Sequence, residues 1–335
     1  MALPRVLLTG QLVFAHPQWN SLSSIAKLEV DESASKAELL AKFAPGGLYH
    51  DNLVAIFHTH STPSAGVMDK EFIDAMPSTV KYISHHGAGY DMIDVAACAA
   101  RGILVSNTPG SVDDATADTN MFLILGALRG FNKALGNLRQ GKWNSGVPLA
   151  HDPEGKVLGI IGMGGIGRAL KQRAEGFDME VQYHNRKPLS PELAAGAKYV
   201  SFDEIIATSD VLSLNLPLNE HTRHIINKET FAKMKDGVII TNTARGAVID
   251  EAALVEALAS GKVACAGLDV FEDEPVIHPG LLANENVMLL PHLGTHTVES
   301  RTKMEIKVID NIRSALTTGK MISVTPETAF LQEGK

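Results

Sequence analysis

Val157-Leu158-Gly159-Ile160-Ile161-Gly162-Met163-Gly164-Gly165-Ile166-Gly167-Arg168 is the stretch on which the reading of this 335-residue chain turns. An apolar run ends in G-x-G-x-x-G, and the residues that follow, RALKQRAEGF, have a helical pattern. Each glycine has a physical role. Gly162 permits a tight turn, Gly164 lets the backbone come close to a pyrophosphate, and Gly167 lets the helix pack closely on the strand. The helix start at Gly165 and Ile166 offers amides and a positive dipole end to phosphates. The stretch predicts strand, turn and helix of a dinucleotide-binding βαβ unit, with Gly162, Gly164, Gly165, Ile166 and Gly167 as cofactor-binding residues.

The next strand, 180–184, ends about twenty residues after the glycines, where an NAD-selective site places an acid on the ribose 2′-hydroxyl. Here the sequence reads Asn185-Arg186-Lys187. An acid would repel a 2′-phosphate, whereas Arg and Lys pair with it. NADPH is therefore the expected cofactor, with NAD possible; the bland alternative is a solvated basic turn.

Outward from this motif, near-continuous apolar runs recur: EVQYHN, AKYV, DVLSLNL, VIITNT, CAGLDV and NVMLL. They read as strands buried on both faces and spaced for βα units. A shorter series precedes them, with strands at 5–8, 53–57, 82–85 and 102–105 and helical patterns at 35–43 and 70–75. The pattern is α/β with parallel sheets. Residues 114–138, rich in Ala, Leu and Met, suggest a long helix that connects domains or faces a partner. The first series lacks the strands to stand alone after residue 108, so the last helix, 298–317, is expected to return to it. Residues 109–294 are then an insertion in a split domain made of 1–108 and 295–335.

Composition narrows the function classes. A hydrophobic fraction of 45%, a charged fraction of 20% and a formal charge of −8 describe a globular protein without a broad surface for nucleic acid or acidic membranes. Two cysteines, Cys98 and Cys265, exclude a disulfide scaffold, sit among small apolar residues as buried thiols, and fit a reducing compartment. The N-terminus reads as a first strand rather than a signal peptide. No apolar run approaches the roughly 20 residues that span a bilayer. The cytoplasm is the expected location. Thirteen histidines form no compact ligand pattern, so no metal is expected.

Three segments at strand ends carry candidate chemistry. They are Val238-Ile239-Ile240-Thr241-Asn242-Thr243-Ala244-Arg245-Gly246, Gly267-Leu268-Asp269-Val270-Phe271-Glu272-Asp273-Glu274-Pro275, and Val287-Met288-Leu289-Leu290-Pro291-His292-Leu293-Gly294. In an open parallel sheet the carboxyl ends of strands converge on the ligand crevice. A 2-keto acid offers a carboxylate and a carbonyl, for which the planar guanidinium of Arg245 is the fitting donor. The carbonyl oxygen gains charge as hydride arrives and needs a proton, which His292 can supply. A carboxylate beside that histidine fixes its ring. Glu274 is the candidate for this role, although Glu272 and Asp273 lie beside it.

These segments resemble the N-x-x-R-G-x-x-[VI]-D, D-V-F-x-x-E-P and P-H-[LI]-G signatures of the D-isomer-specific 2-hydroxyacid dehydrogenases, nearest the glyoxylate/hydroxypyruvate reductase branch. The resemblance implies a Rossmann domain inserted in a split flavodoxin-like substrate domain, both doubly wound. It implies Arg245 as substrate-binding and catalytic, Glu274 as the histidine's partner and His292 as the acid. Gly87-Ala88-Gly89-Tyr90-Asp91 is similar to the family's substrate loop, with the Ala88 and Gly89 amides holding the carboxylate. Thr116, Leu216, Pro217, Thr243, Ala244, Arg245, Asp269, His292 and Gly294 join Asn185, Arg186 and Lys187 in lining the cofactor's path. The long helix is implied to build a homodimer interface.

The expected activity is hydride transfer from NADPH to a small 2-keto acid, giving a D-2-hydroxy acid. The substrate is glyoxylate, hydroxypyruvate or something bulkier. A dinucleotide-sensing binding protein of the same fold is the alternative. The chain departs from the family at Phe57-His58-Thr59-His60, where apolar residues are more usual; His58 and His60 either shape selectivity or are polar loop residues. His85 and His86 precede the substrate loop and lack the context of His292.

Overall fold

The computed structural model describes residues 2–59 and 62–333, so His60 lies outside them. The chain divides into two compact units, Met1–Val112 with Thr297–Lys335, and Asp113–His296.

The first unit contains β1 (Arg5–Thr9), α1 (His16–Ser21), β2 (Lys27–Asp31), α2 (Lys36–Phe43), β3 (Leu53–His58), α3 (Lys70–Ala75), β4 (Tyr82–His85), α4 (Val95–Ala100) and β5 (Leu104–Ser106). Its sheet is parallel, in the order β2-β1-β3-β4-β5, a doubly wound arrangement with its reversal between β1 and β3. Side chains alternate along each strand. Val6, Leu8, Ala55 and Phe57 pack on one face with Trp19 and Leu22, while Leu7 and Ile56 pack on the other with Leu39, Phe43 and Phe72. Both faces are covered, which is why these strands read as unbroken apolar runs.

The second unit begins with α5 (Asp113–Leu128) and α6 (Phe131–Arg139). It continues with β6 (Val157–Ile161), α7 (Gly165–Glu175), β7 (Glu180–His184), α8 (Pro191–Ala194), β8 (Lys198–Tyr199), α9 (Phe202–Thr208), β9 (Val211–Leu214) and α10 (Lys228–Lys233). Then come β10 (Val238–Asn242), α11 (Glu251–Ala259), β11 (Val263–Leu268), α12 (Pro279–Leu282) and β12 (Val287–Leu289). Read along the sheet, the order is β12-β11-β10-β9-β6-β7-β8, the Rossmann order with one added edge strand. The reversal lies between β6 and β9, so the crevice opens beside the glycine turn.

The last helix, α13 (Val298–Thr318), returns to the first unit, where Val308, Ile309 and Ile312 join the core beside Val6 and Phe57. Its buried Glu305 accepts the amides of Val13, Phe14 and Ala15 at 2.9, 2.9 and 2.7 Å. Those three bonds replace the water the carboxylate gives up on burial.

Four expectations need correction. Lys27–Asp31 is a strand that no apolar run announces, because it is a half-exposed sheet edge. Residues 114–138 are two helices, broken at Gly130, whose φ of 60° is left-handed. The strand expected at 102–105 begins at Leu104, since Gly102 turns with φ 69°. Finally, Cys98 is buried, with its thiol pushed up to about 12 by desolvation, but Cys265 is only partly covered.

Candidate active site

At the turn after β6, Gly162 has φ 93°, and a Cβ there would lie 2.7 Å from the Asn215 carbonyl. Gly167 is equally confined, 2.7 Å from the Gly162 oxygen, whereas nothing crowds Gly164. Backbone is thus exposed at Gly164, directly ahead of the first-turn amides of α7 at Gly165, Ile166 and Gly167. These features fit a dinucleotide's phosphates. Asn185 serves the turn itself, because its Oδ1 accepts the Met163 amide at 2.7 Å and ties the end of β7 to the glycines. Arg186 and Lys187 are exposed, and neither forms an ion pair among the described residues.

Beyond β10, Asn242 shapes the turn that carries Arg245. Its Nδ2 donates to the Arg245 carbonyl at 2.8 Å and its Oδ1 accepts the Ala244 amide at 2.9 Å. Gly246 follows, and the Phe271–Glu272 peptide crosses so near that a Cβ would overlap it. Only glycine lets the two loops touch.

The acid ambiguous in the sequence is resolved by contact. Glu274 Oε1 accepts the Phe271 amide at 2.9 Å, and Oε2 lies 2.8 Å from His292 Nδ1. Glu272 turns elsewhere: its Oε1 is 2.5 Å from His224 Nε2, and its amide donates to Glu251 Oε1 at 2.6 Å. Burial pushes the Glu274 carboxyl up, but the bond and charge of His292, the Phe271 amide and the charge of Arg245 together hold it below the usual range. Its ionised form, and the link to His292, therefore persists above the ordinary carboxylate range and is lost only as the pH falls through the depressed value.

His292 itself sits at φ 57°, in the left-handed region. Asp269, 1% exposed, imposes this turn. Its carbonyl accepts the His292 amide at 2.8 Å, while its carboxylate oxygens accept the amides of Leu293 at 2.6 Å and Gly294 at 2.8 Å. Burial raises the Asp269 carboxyl despite these bonds. Asp269 was expected on the cofactor's path; its carboxylate here holds the histidine's loop. Thr116 joins the same corner, donating to the Gly294 carbonyl at 3.4 Å.

One organising residue escaped the sequence. Asn120, fully buried on α5, places the two hydrogens of its Nδ2 among Ser213, Asn215 and Thr243, at 2.9, 3.2 and 3.0 Å, and its Oδ1 accepts from Thr241 at 3.0 Å. This satisfied network locks α5 to the ends of β9 and β10, beside Leu216, Pro217, Thr243 and Ala244. The available signal was a lone Asn in an otherwise apolar helical run, TNMFLILGAL.

In the first unit, the loop after β4 has all three carbonyls engaged. Gly87 O accepts from the Thr108 amide at 2.9 Å, Ala88 O from Asn107 Nδ2 at 2.7 Å, and Gly89 O from His85 Nε2 at 2.9 Å. The Ala88 and Gly89 amides donate to no acceptor among the described residues. A loop with its carbonyls tied back and its amides unspent suits an anion. No group of three or more metal-ligating side chains occurs among the described residues.

Comparison with known proteins identifies the family and the fold. Residues 121–294 match the family profile described as D-isomer specific 2-hydroxyacid dehydrogenase, NAD binding domain. The chain is 53% identical over 325 residues to 4-methyl-2-oxopentanoate reductase A of Aspergillus oryzae, covering 97% of this chain and 98% of that one. A crystal structure of a glyoxylate reductase from Paecilomyes thermophila superposes with a TM-score of 0.95 at 51% identity, covering 98% of this chain and 99% of the other. A third relative is an NADPH-dependent glyoxylate/hydroxypyruvate reductase from Sinorhizobium meliloti, solved in complex with NADP and malonate. It superposes at a TM-score of 0.84 with 32% identity, covering 97% of each chain.

Proposed function

Because the chain belongs to the D-isomer specific 2-hydroxyacid dehydrogenase family, an oxidoreductase family that transfers hydride between a nicotinamide dinucleotide and a keto acid, we propose that Arg245, Glu274 and His292 are its catalytic residues and NADPH its preferred reductant. The observation that carries the assignment is the 2.8 Å contact of Glu274 Oε2 with His292 Nδ1, on a loop fixed by Asp269.

The nicotinamide, when bound, supplies the hydride. Arg245 holds the substrate's carboxylate and polarises its carbonyl, which suits a planar, permanently charged donor. With His292 Nδ1 committed to Glu274, Nε2 is the nitrogen that passes a proton to the carbonyl oxygen as charge builds there. The Ala88 and Gly89 amides hold the carboxylate. Gly162, Gly164, Gly165, Ile166 and Gly167 cradle the pyrophosphate, and Thr116, Leu216, Pro217, Thr243, Ala244, Asp269 and Gly294 border the nicotinamide end.

Arg186 and Lys187 support the choice of NADPH: they are exposed and take no carboxylate partner among the described residues. Initial rates with NADPH and NADH against glyoxylate, hydroxypyruvate, pyruvate, 4-methyl-2-oxopentanoate and phenylpyruvate test both cofactor and substrate. The expected kcat/KM favours NADPH, and Arg186→Ala lowers it about tenfold with NADPH alone, the scale of a lost charge-assisted hydrogen bond. A wild type equally fast with NADH contradicts the cofactor assignment. We place the active preference among small 2-keto acids, since the relatives named for glyoxylate and for 4-methyl-2-oxopentanoate bracket that size range.

The enzyme is further inferred to be a homodimer. Phe122, Phe131, Leu135 and Leu138 of α5 and α6 are each at least two-fifths exposed and border one apolar groove with Ala134 and Met288. A contiguous apolar patch of this kind marks a protein interface, and a second copy offers the matching surface. Light scattering should give twice the chain mass, and Leu135→Glu with Leu138→Glu should give the monomer; a monomeric wild type contradicts the inference. No helix among the described residues is long and apolar enough to cross a membrane. With both cysteines free, a cytoplasmic location is the reading that cell fractionation would check.

A further inference from the structure

His58 and His85 are neighbours across β3 and β4, paired directly in the strand register, and both are fully buried. Three contacts constrain their protons. His58 Nε2 lies 2.6 Å from the Ala65 carbonyl oxygen, His85 Nε2 lies 2.9 Å from the Gly89 carbonyl oxygen, and the two Nδ1 atoms lie 2.9 Å apart. Carbonyl oxygens only accept, so each Nε2 carries a hydrogen. Two nitrogens at 2.9 Å repel if they meet lone pair to lone pair, and a third hydrogen between them turns the contact into a bond. Two neutral imidazoles bring two such protons, but the geometry uses three.

We propose that His58 and His85 share one extra proton as a buried imidazolium–imidazole pair, and that this cation positions and charges the 87–89 loop for the substrate's carboxylate. The proposal rests on the reading of the Ala88 and Gly89 amides as the carboxylate's holders. The ring of His85 lies directly beneath that loop: a Cβ on Gly87 would be 2.5 Å from its Nε2. Its hydrogen bond to the Gly89 carbonyl fixes the peptide that follows the two whose amides meet the anion, and so holds the course of the loop.

A buried cation is costly on its own, since burial favours the neutral ring. Two carbonyl dipoles and the shared N–H···N bond offset part of that cost, and an anion on the Ala88 and Gly89 amides offsets more. His86 follows His85, with its ring stacked on Phe57 and its amide donating to the His58 carbonyl at 2.9 Å. Asp91 lies two residues beyond Gly89. Beside Ala65, Ser64 donates to Asp31 at 2.7 Å, with Lys42 3.8 Å from that carboxylate. The Tyr90 hydroxyl donates to Glu327 at 3.2 Å.

Proton and substrate are then linked. Binding the carboxylate tightens the pair's hold on its proton, and by reciprocity the protonated pair tightens binding. The sign follows: affinity is full while the pair is charged in the free enzyme and falls as the pH rises through the pair's titration. When the pair is neutral, one of its three contacts fails and the positive charge beneath the loop is lost.

Proton uptake measures this directly. Oxamate, an unreactive keto-acid mimic, would be titrated calorimetrically into NADPH-loaded enzyme in buffers of different ionisation heat, in a His292→Asn background so that His292 contributes nothing. We expect uptake that approaches one proton per site at alkaline pH and disappears with His58→Gln. With His292 intact, His58→Gln should raise the KM for the keto acid about tenfold, within the usual range for coupled sites, while kcat changes far less. Uptake unchanged by His58→Gln overturns the proposal. Should that variant fail to fold, 15N-histidine NMR of the unsubstituted enzyme decides, because the pair must show more protonated ring nitrogens than two neutral rings can; two neutral spectra overturn it. Ala88→Pro separates the two claims. An unchanged KM there refutes the loop as carboxylate holder and the pair's role with it, whereas a raised KM with unaltered uptake in His58→Gln refutes the pair alone.

Discussion

Replacing His292 with Asn is expected to lower kcat for keto-acid reduction by about 10²–10⁴-fold, the usual contribution of a positioned general acid. Asn is the informative replacement because position 292 sits at φ 57°, a left-handed conformation that Asn tolerates better than most residues. The turn is held by the backbone amides of 292, 293 and 294 on Asp269, none of which the substitution removes. Fold and dinucleotide affinity should therefore survive while proton delivery does not. Stopped-flow single turnovers, with dinucleotide binding followed by fluorescence, separate the two. A variant within tenfold of wild type in kcat would remove His292 from the chemistry.

The second large effect is expected at a residue with no chemistry of its own. A methyl group on Gly246 would overlap the Phe271 carbonyl and the Glu272 amide nitrogen. Both are backbone, so relief requires the 271–274 segment to move. That segment carries Glu274, whose carboxylate bonds both its own Phe271 amide and His292. On the other side of the clash, Arg245 precedes Gly246 directly. Gly246→Ala should thus displace both partners of the site, at a cost of about 100-fold in kcat/KM for a shift near 1 Å. Overpacking of this kind also destabilises by about 1–3 kcal/mol. Denaturant melts together with steady-state kinetics would show both losses; a variant with near-normal kcat/KM would mean that the two loops are not rigidly coupled.

The glycine turn at 162–167 was legible because its constraints are local: one strand, one turn and one helix, each with its own residue types. The strands of the second unit were legible because burial on both faces leaves unbroken apolar runs, as in Val211–Leu214. What escaped depends on distant partners. Lys27–Asp31 is a strand only because β1 pairs with it, and nothing in KLEVD requires that. The break at Gly130 hides in a run of good helix formers, since a single glycine does not reveal whether it will adopt positive φ. The choice between Glu272 and Glu274 cannot be made from adjacency. It is made by where His224, Glu251 and His292 come to lie. Asn120 bonds Ser213, Thr241 and Thr243 far along the chain, contacts with no local pattern. The His58–His85 pair is likewise visible only once β3 and β4 are in register.

Glu274 is proposed to act through His292 as one proton-delivering unit. A double-mutant cycle in kcat tests it most directly. Glu274→Gln alone should slow the wild type by at least about tenfold, yet change the His292→Asn enzyme by no more than about twofold, because contacting residues of one unit are strongly non-additive. If Glu274→Gln slows both backgrounds by the same factor, Glu274 and His292 work independently and the proposed unit is wrong.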